Sequence, residues 1–108
     1  MKQPIAVTVD AAYPICYVEY ANFDDRAEAT FAIVRDGRGR AIRSRNFLGR
    51  DVLVHVDVDE NDGIIGIEIV DVDDSDAVAI AHDFAAGNGL AFPDDLRAAA
   101  RAFGDPAA

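Results

Sequence analysis

The chain has 108 residues, of which 51% are hydrophobic, and a formal charge of −10; this fits one folded domain and excludes a chain disordered by composition. No apolar run approaches the roughly 20 residues that a membrane span needs, and such acidity disfavours a nonspecific hold on nucleic acid or anionic membranes. The start, Met1-Lys2-Gln3-Pro4, lacks the long apolar stretch of an export signal, and the single cysteine, Cys16, allows no intrachain disulfide, so a cytoplasmic protein is expected.

In chain order, residues 5–9 alternate apolar and small side chains and read as a first strand. Asp10-Ala11-Ala12-Tyr13-Pro14 is a turn, and residues 15–21 (Ile-Cys-Tyr-Val-Glu-Tyr-Ala) a second strand. After a polar loop over 22–26, residues 28–35 form a third strand with Phe31 and Ile33 on one face. Asp36-Gly37-Arg38-Gly39 turns the chain into a fourth strand over 40–48, and Gly49-Arg50-Asp51 turns it again.

The clearest pattern follows. Residues 52–58 place valine at every second position, and residues 64–70 place Ile65, Ile67 and Ile69 on one face. A tight turn at Asn61-Asp62 pairs Val58 with Ile65, Val56 with Ile67 and Val54 with Ile69, which puts both sets on one buried face. For the preceding hairpin, a loop at 49–51 sets Leu48 against Val52, Ile42 against Val58, Arg43 opposite Asp57 and Arg45 opposite His55, so that apolar meets apolar and charge meets opposite charge.

Beyond Asp71 the period becomes helical. Asp74 or Ser75 caps a helix to about Ala86 with Val78, Ala79, Phe84 and Ala85 as its apolar side, and Gly87-Asn88-Gly89 ends it. Pro93-Asp94-Asp95 opens a second helix through Phe103, with Leu96, Ala100 and Phe103 on one stripe, and Gly104 stops it; 105–108 form a frayed tail. The expected fold is α+β: a five- or six-stranded antiparallel meander over 5–71, with one or two C-terminal helices over 74–104 packed on one face, in a single domain spanning 1–108.

The charge is unevenly spread. Nine of the ten basic residues are arginine, and Arg35, Arg38, Arg40, Arg43, Arg45 and Arg50 fall in one stretch, whereas 51–95 hold no lysine or arginine. Either the basic and acidic strands answer each other across the sheet, or the arginines grip a phosphate, a carboxylate or nucleic acid. Internal complementarity is the commoner use of such blocks.

Four pieces of the chain resemble a family of short bacterial proteins described only as domain of unknown function number 2283: Asp10 followed by Ile15-Cys16-Tyr17-Val18, then 52–57, then the acidic turn Asp59 to Gly63, then Gly66-Ile67-Glu68-Ile69. The similarity spans about Val7 to Asp71, with some fifteen extra residues near 22–40 that add a strand, and a helical tail beyond it. The resemblance implies a small antiparallel sheet and a bacterial, cytoplasmic setting. It brings no catalytic residues, and it makes an antitoxin-like role conceivable, as the acidic partner of a basic protein.

Candidate sites are few. The turn 57–63 has the acidity of a calcium loop, but counting from Asp57 its glycine comes one place late and Glu68 falls in a strand, so an acidic hairpin turn explains it. The expected register gathers Arg43, Arg45, His55, Asp57 and Glu68 opposite the valines, the one cluster of histidine, carboxylate and arginine in the chain. The competing interpretation is a solvated sheet face with cross-strand ion pairs. Cys16 lies among apolar neighbours and reads as a small hydrophobe, not as a nucleophile with His55 as base. His82 reads as a surface residue, and no metal or cofactor motif is present.

The expected function is a non-enzymatic binding or structural module that self-associates as a homodimer, because strand 15–21 is apolar on both faces. The alternatives are a small-molecule or metal-binding sensor or enzyme using the Arg43/Arg45/His55/Asp57/Glu68 face, or the acidic partner of a basic protein.

Overall fold

The structure, a computed structural model, describes residues 1–22, 29–46 and 51–104. Its elements are β1 (Ala6–Val9), β2 (Cys16–Glu19), β3 (Ala29–Arg35), β4 (Ala41–Ser44), β5 (Val52–Val58), β6 (Ile64–Ile69), α1 (Ser75–Gly87) and α2 (Leu96–Ala102). The strands form one sheet, antiparallel at every pairing, so the expected α+β class is the one observed. The tail 105–108, Leu48 and the turn expected at Gly49 and Arg50 lie outside the described residues.

The strand order is β1-β2-β6-β5-β3-β4, not the consecutive order of a meander. β3 lies between β4 and β5, with Ile33 paired to Arg43 and Val34 to Ile42 on one side, and Phe31 to Val56 and Ile33 to Val54 on the other. The expected hairpin between β4 and β5 is therefore corrected: Arg43 does not face Asp57, Arg45 does not face His55, and Ile42 does not face Val58. Burial is the reason. Phe31, Ala32, Ile33 and Val34 are all buried, an uninterrupted apolar run that suits an interior strand. β4 is short, arginine-bearing and exposed over Ala41, Ile42 and Arg43, and such a strand costs least at an edge.

The β5–β6 hairpin pairs Val54 with Ile69, Val56 with Ile67, His55 with Glu68 and Asp57 with Gly66, as the alternation requires. Val58 pairs with Ile64 and not Ile65, because a bulge after Asp57 inserts one residue. The acidic turn stabilises itself: one Asp59 carboxylate oxygen accepts from the backbone N–H of Asn61 and of Gly63, both at 2.8 Å.

Five paired strands align one apolar row across the sheet, Val9, Cys16, Ile69, Val54 and Ile33, beside a second of Val7, Val18, Ile67, Val56 and Phe31. The helices cover this face. Asp74 caps α1 by accepting from the N–H groups of Asp76 and Ala77, and Asp95 caps α2 through Ala98. α1 buries Ala77, Ala81 and Ala85, small side chains at i, i+4 and i+8 that allow close approach to the sheet. Ala79, expected on that side, is exposed, and Val78 and Phe84 flank the stripe. On α2, Leu96 and Ala100 are buried but Phe103 is 50% exposed, because it forms the C-cap beyond the last turn. Tyr20 is buried, its hydroxyl donating to the Ala91 carbonyl at 2.8 Å; burial pushes its pKa up to about 12.

Two helices do not span six strands. The sheet is roughly 25 Å from edge strand to edge strand, and each helix is about 10 Å wide. α1 lies against β5 and β6, and α2 against β1. At the β3–β4 end of the same face the flank of α1 supplies the cover: Phe84 lies edge-on to Phe31, with ring centres 6.0 Å apart, and Asp76 pairs with Arg35.

Candidate binding groove and polar sheet face

On the face turned away from the helices, register brings Tyr17, Glu68, His55 and Ala32 into one row and Glu19, Gly66, Asp57 and Thr30 into the next. His55 Nδ1 lies 3.0 Å from Glu68 Oε1. Asp57 accepts from the Tyr17 hydroxyl at 2.8 Å and from the Thr30 hydroxyl at 2.5 Å. Gly66 makes the first of these possible, since a Cβ there would come within 2.1 Å of the Tyr17 hydroxyl oxygen; the ring lies over the space that a side chain would fill. Burial, then the hydrogen bond to Asp57 and the negative charges of Asp57, Glu19 and Glu68, push the Tyr17 pKa far above the usual tyrosine range. Tyr17 is thus held as a proton donor. Cys16, the nucleophile considered from sequence, is fully buried on the opposite face, out of reach of His55.

The structure keeps three of the five expected site residues together, His55, Asp57 and Glu68, and moves Arg43 and Arg45 away from them. Arg43 pairs with Ile33, so its side chain belongs to the helix-covered face. Sequence reasoning missed Tyr17 and Thr30. Tyr17 at the midpoint of a strand two residues from Glu19 was the available signal; Thr30 could only be found once β3 was known to neighbour β5. Among the described residues, no group of three or more His, Cys, Asp or Glu side chains is placed to hold a metal ion.

The arginines are used in different ways. Arg35 pairs with Asp76 in the first turn of α1, and Arg45 approaches Asp62 at 3.9 Å. The basic and acidic blocks therefore meet through a helix and a turn, not through neighbouring strands. Arg40 pairs with Asp36 at 2.9 Å. The Arg40 backbone N–H, with that of Arg38 and the Arg40 guanidinium, holds the Asp36 carboxyl below the usual carboxylate range. Arg43 differs: its guanidinium sits 4.8 Å from the Phe31 ring centre and 5.1 Å from that of Phe84, and it has no ion-pair partner among the described residues.

Arg43 divides a groove between β4 and the flank of α1. One compartment of about 290 Å³ is lined by Arg43, Ser44, Arg45, Asp62, Phe84 and Asn88, with Phe31 among its apolar residues. The other, about 370 Å³, is lined chiefly by Ile33, Ala41, Ile80 and Phe84, with Asp83 at its side. Arg43 and Phe84 border both. The lining progresses from Ala41 and Ile80 at one end to Arg45 and Asn88 at the other, so β4 and α1 run in the same direction along the groove. It lies over β3, between β4 and the flank of α1.

No protein-family model matches the chain, and neither a curated protein nor a solved structure matches it. No helix among the described residues is long and apolar enough to cross a membrane.

Proposed function

We propose that the protein is a non-enzymatic binding module and that the groove between β4 and α1 receives an anionic group carried on an apolar body. The observation behind this reading is Arg43. Its guanidinium lies near the centres of the Phe31 and Phe84 rings, and a guanidinium held against aromatic rings keeps N–H groups for a carboxylate or phosphate. Around it, Arg45 lies near Asp62, the Ser44 hydroxyl donates to the Asn46 carbonyl and the Asn88 amide to the Phe84 carbonyl, so Arg43 is the cation that carries the proposal; the neighbouring apolar compartment suits the rest of the ligand.

The polar face supports the same reading from the other side. Its carboxylates, histidine and tyrosine bond one another, which is the chemistry of a structural network. The resemblance to domain of unknown function number 2283 belongs to the proposal as well, supported by the acidic turn and the Gly66-Ile67-Glu68-Ile69 block, which form the hairpin that carries His55 and Glu68.

The test is a calorimetric titration with carboxylates and phosphates of graded apolar size. Binding is expected to rise with the apolar body and to vanish in Arg43→Gln at unchanged melting temperature. Equal binding by Arg43→Gln would place the ligand elsewhere. Homodimer formation is proposed separately; sedimentation as a monomer at high concentration would remove it.

A further inference from the structure

Resting on the binding reading above, we infer that the groove's ligand is a free amino acid with an apolar side chain, its carboxylate on Arg43 and its ammonium on Asp83. Both residues line the compartment of Ile33, Ala41, Ile80 and Phe84, and they are the only charged ones among its described residues. They differ in sign and form no ion pair with one another, and neither has another ion-pair partner among the described residues. A pocket bordered by one unpaired cation and one unpaired carboxylate matches a molecule that carries both charges.

The next acid along α1 behaves differently. Asp76 and Asp83 are seven residues apart, about two helical turns, and so share one side of α1. Asp76 pairs with Arg35, which stands opposite Ala41. Arg43 is two positions from Ala41 on the same face of β4, yet Arg43 and Asp83 stay apart, with the compartment between strand and helix. Arg35, Arg40 and Arg45 are held by Asp76, Asp36 and Asp62, so of the arginines beside the groove Arg43 is the one left to a ligand.

Charge and size narrow the ligand. A dianion such as a phosphate monoester meets a single unpaired cation and is repelled by Asp83. The chain's formal charge of −10 opposes any net anion from a distance. An amino acid is a zwitterion near neutral pH and escapes that second penalty. At about 370 Å³ the compartment lies near the lower end of the roughly 300–1,000 Å³ of ligand pockets, so the ligand is small. Ala41 carries only a methyl group, which leaves room, and Ile80 and Phe84 offer an apolar wall to an aliphatic or aromatic side chain.

The experiment titrates isotope-labelled protein at neutral pH with leucine and phenylalanine, and with their deaminated counterparts isocaproate and hydrocinnamate, following the amide resonances of β4 and α1. At least one amino acid is expected to bind about fivefold or more tighter than its counterpart, the worth of one exposed ion pair. Asp83→Asn should weaken that amino acid and strengthen the counterpart, a crossover that damage to the fold cannot produce. Arg43→Gln should weaken both. Equal or tighter binding of both deaminated acids overturns the inference and leaves the anion-binding groove intact. A preference for the amino acid that survives in Asp83→Asn also overturns it, since the ammonium then sits elsewhere. Failure of all four while larger amphiphilic carboxylates bind overturns the inference alone; failure of every carboxylate and phosphate removes the binding reading itself.

Discussion

The two polar regions of this sheet are opposites. On the face away from the helices, Tyr17 and Thr30 both donate to Asp57 and His55 lies against Glu68, so hydrogen-bonding capacity is spent inside the protein. In the groove beside β4, Arg43 lies close to two aromatic rings and has no carboxylate partner among the described residues. Groups that satisfy each other stabilise a fold; a cation without an acceptor is where the proposed binding reading rests. The difference arises from position, since α1 packs chiefly over β5 and β6 and meets β3 and β4 only along its flank, where the groove forms.

That contrast can be broken by exchanging the damage. Reversing the groove charge with Arg43→Glu is expected to weaken binding of an anionic ligand about 100-fold or more, some 2.7 kcal/mol, with little change in melting temperature; Asp57→Ala should do the reverse. It leaves the Tyr17 and Thr30 hydroxyls without their acceptor, at about 1–3 kcal/mol of stability by chemical denaturation, and leaves binding unchanged. If Asp57→Ala abolishes binding while Arg43→Glu does not, the roles assigned to the two regions are the wrong way round.

Gly66→Ala sharpens the account of the polar face. The added methyl has to displace the Tyr17 ring, so a loss of about 1–3 kcal/mol is expected from overpacking and the broken hydrogen bond to Asp57. Replacing Tyr17 with Phe in the Gly66→Ala background should cost less than the separate effects added, because both substitutions break one contact.

Smallest is a pH effect. Tyr17 and Tyr20 both have pKa values raised in the folded protein, so they hold protons that the unfolded chain releases. The stability this represents is present below the ordinary tyrosine pKa of about 10 and is lost as pH rises through the folded values. Alkaline unfolding should begin as pH passes 10, and Tyr20→Phe, lacking the titrating group, should show a shallower decline. An equally steep decline in Tyr17→Phe/Tyr20→Phe would assign it to other groups.

Much of this was legible residue by residue. The alternation of Val54, Val56, Ile67 and Ile69 determined a hairpin with one buried face, since a slip of one residue would expose one set, and the turn at Asn61-Asp62 then selected the register in which His55 meets Glu68 and Asp57 meets Gly66. Asp74 and Asp95 marked the helix starts through local hydrogen bonds that need no tertiary context. The partners of β4 were not legible. Charge matching between neighbours in sequence favoured β5, but the arginine strand went to the edge because β3, apolar on both faces, needed an interior position, and that choice depends on burial across the whole sheet. It carried Arg43 and Arg45 from the His55 face to the groove beside α1. The sequence alone determined which residues share a strand face; only the tertiary structure decided which strands became neighbours, and so which charges meet one another.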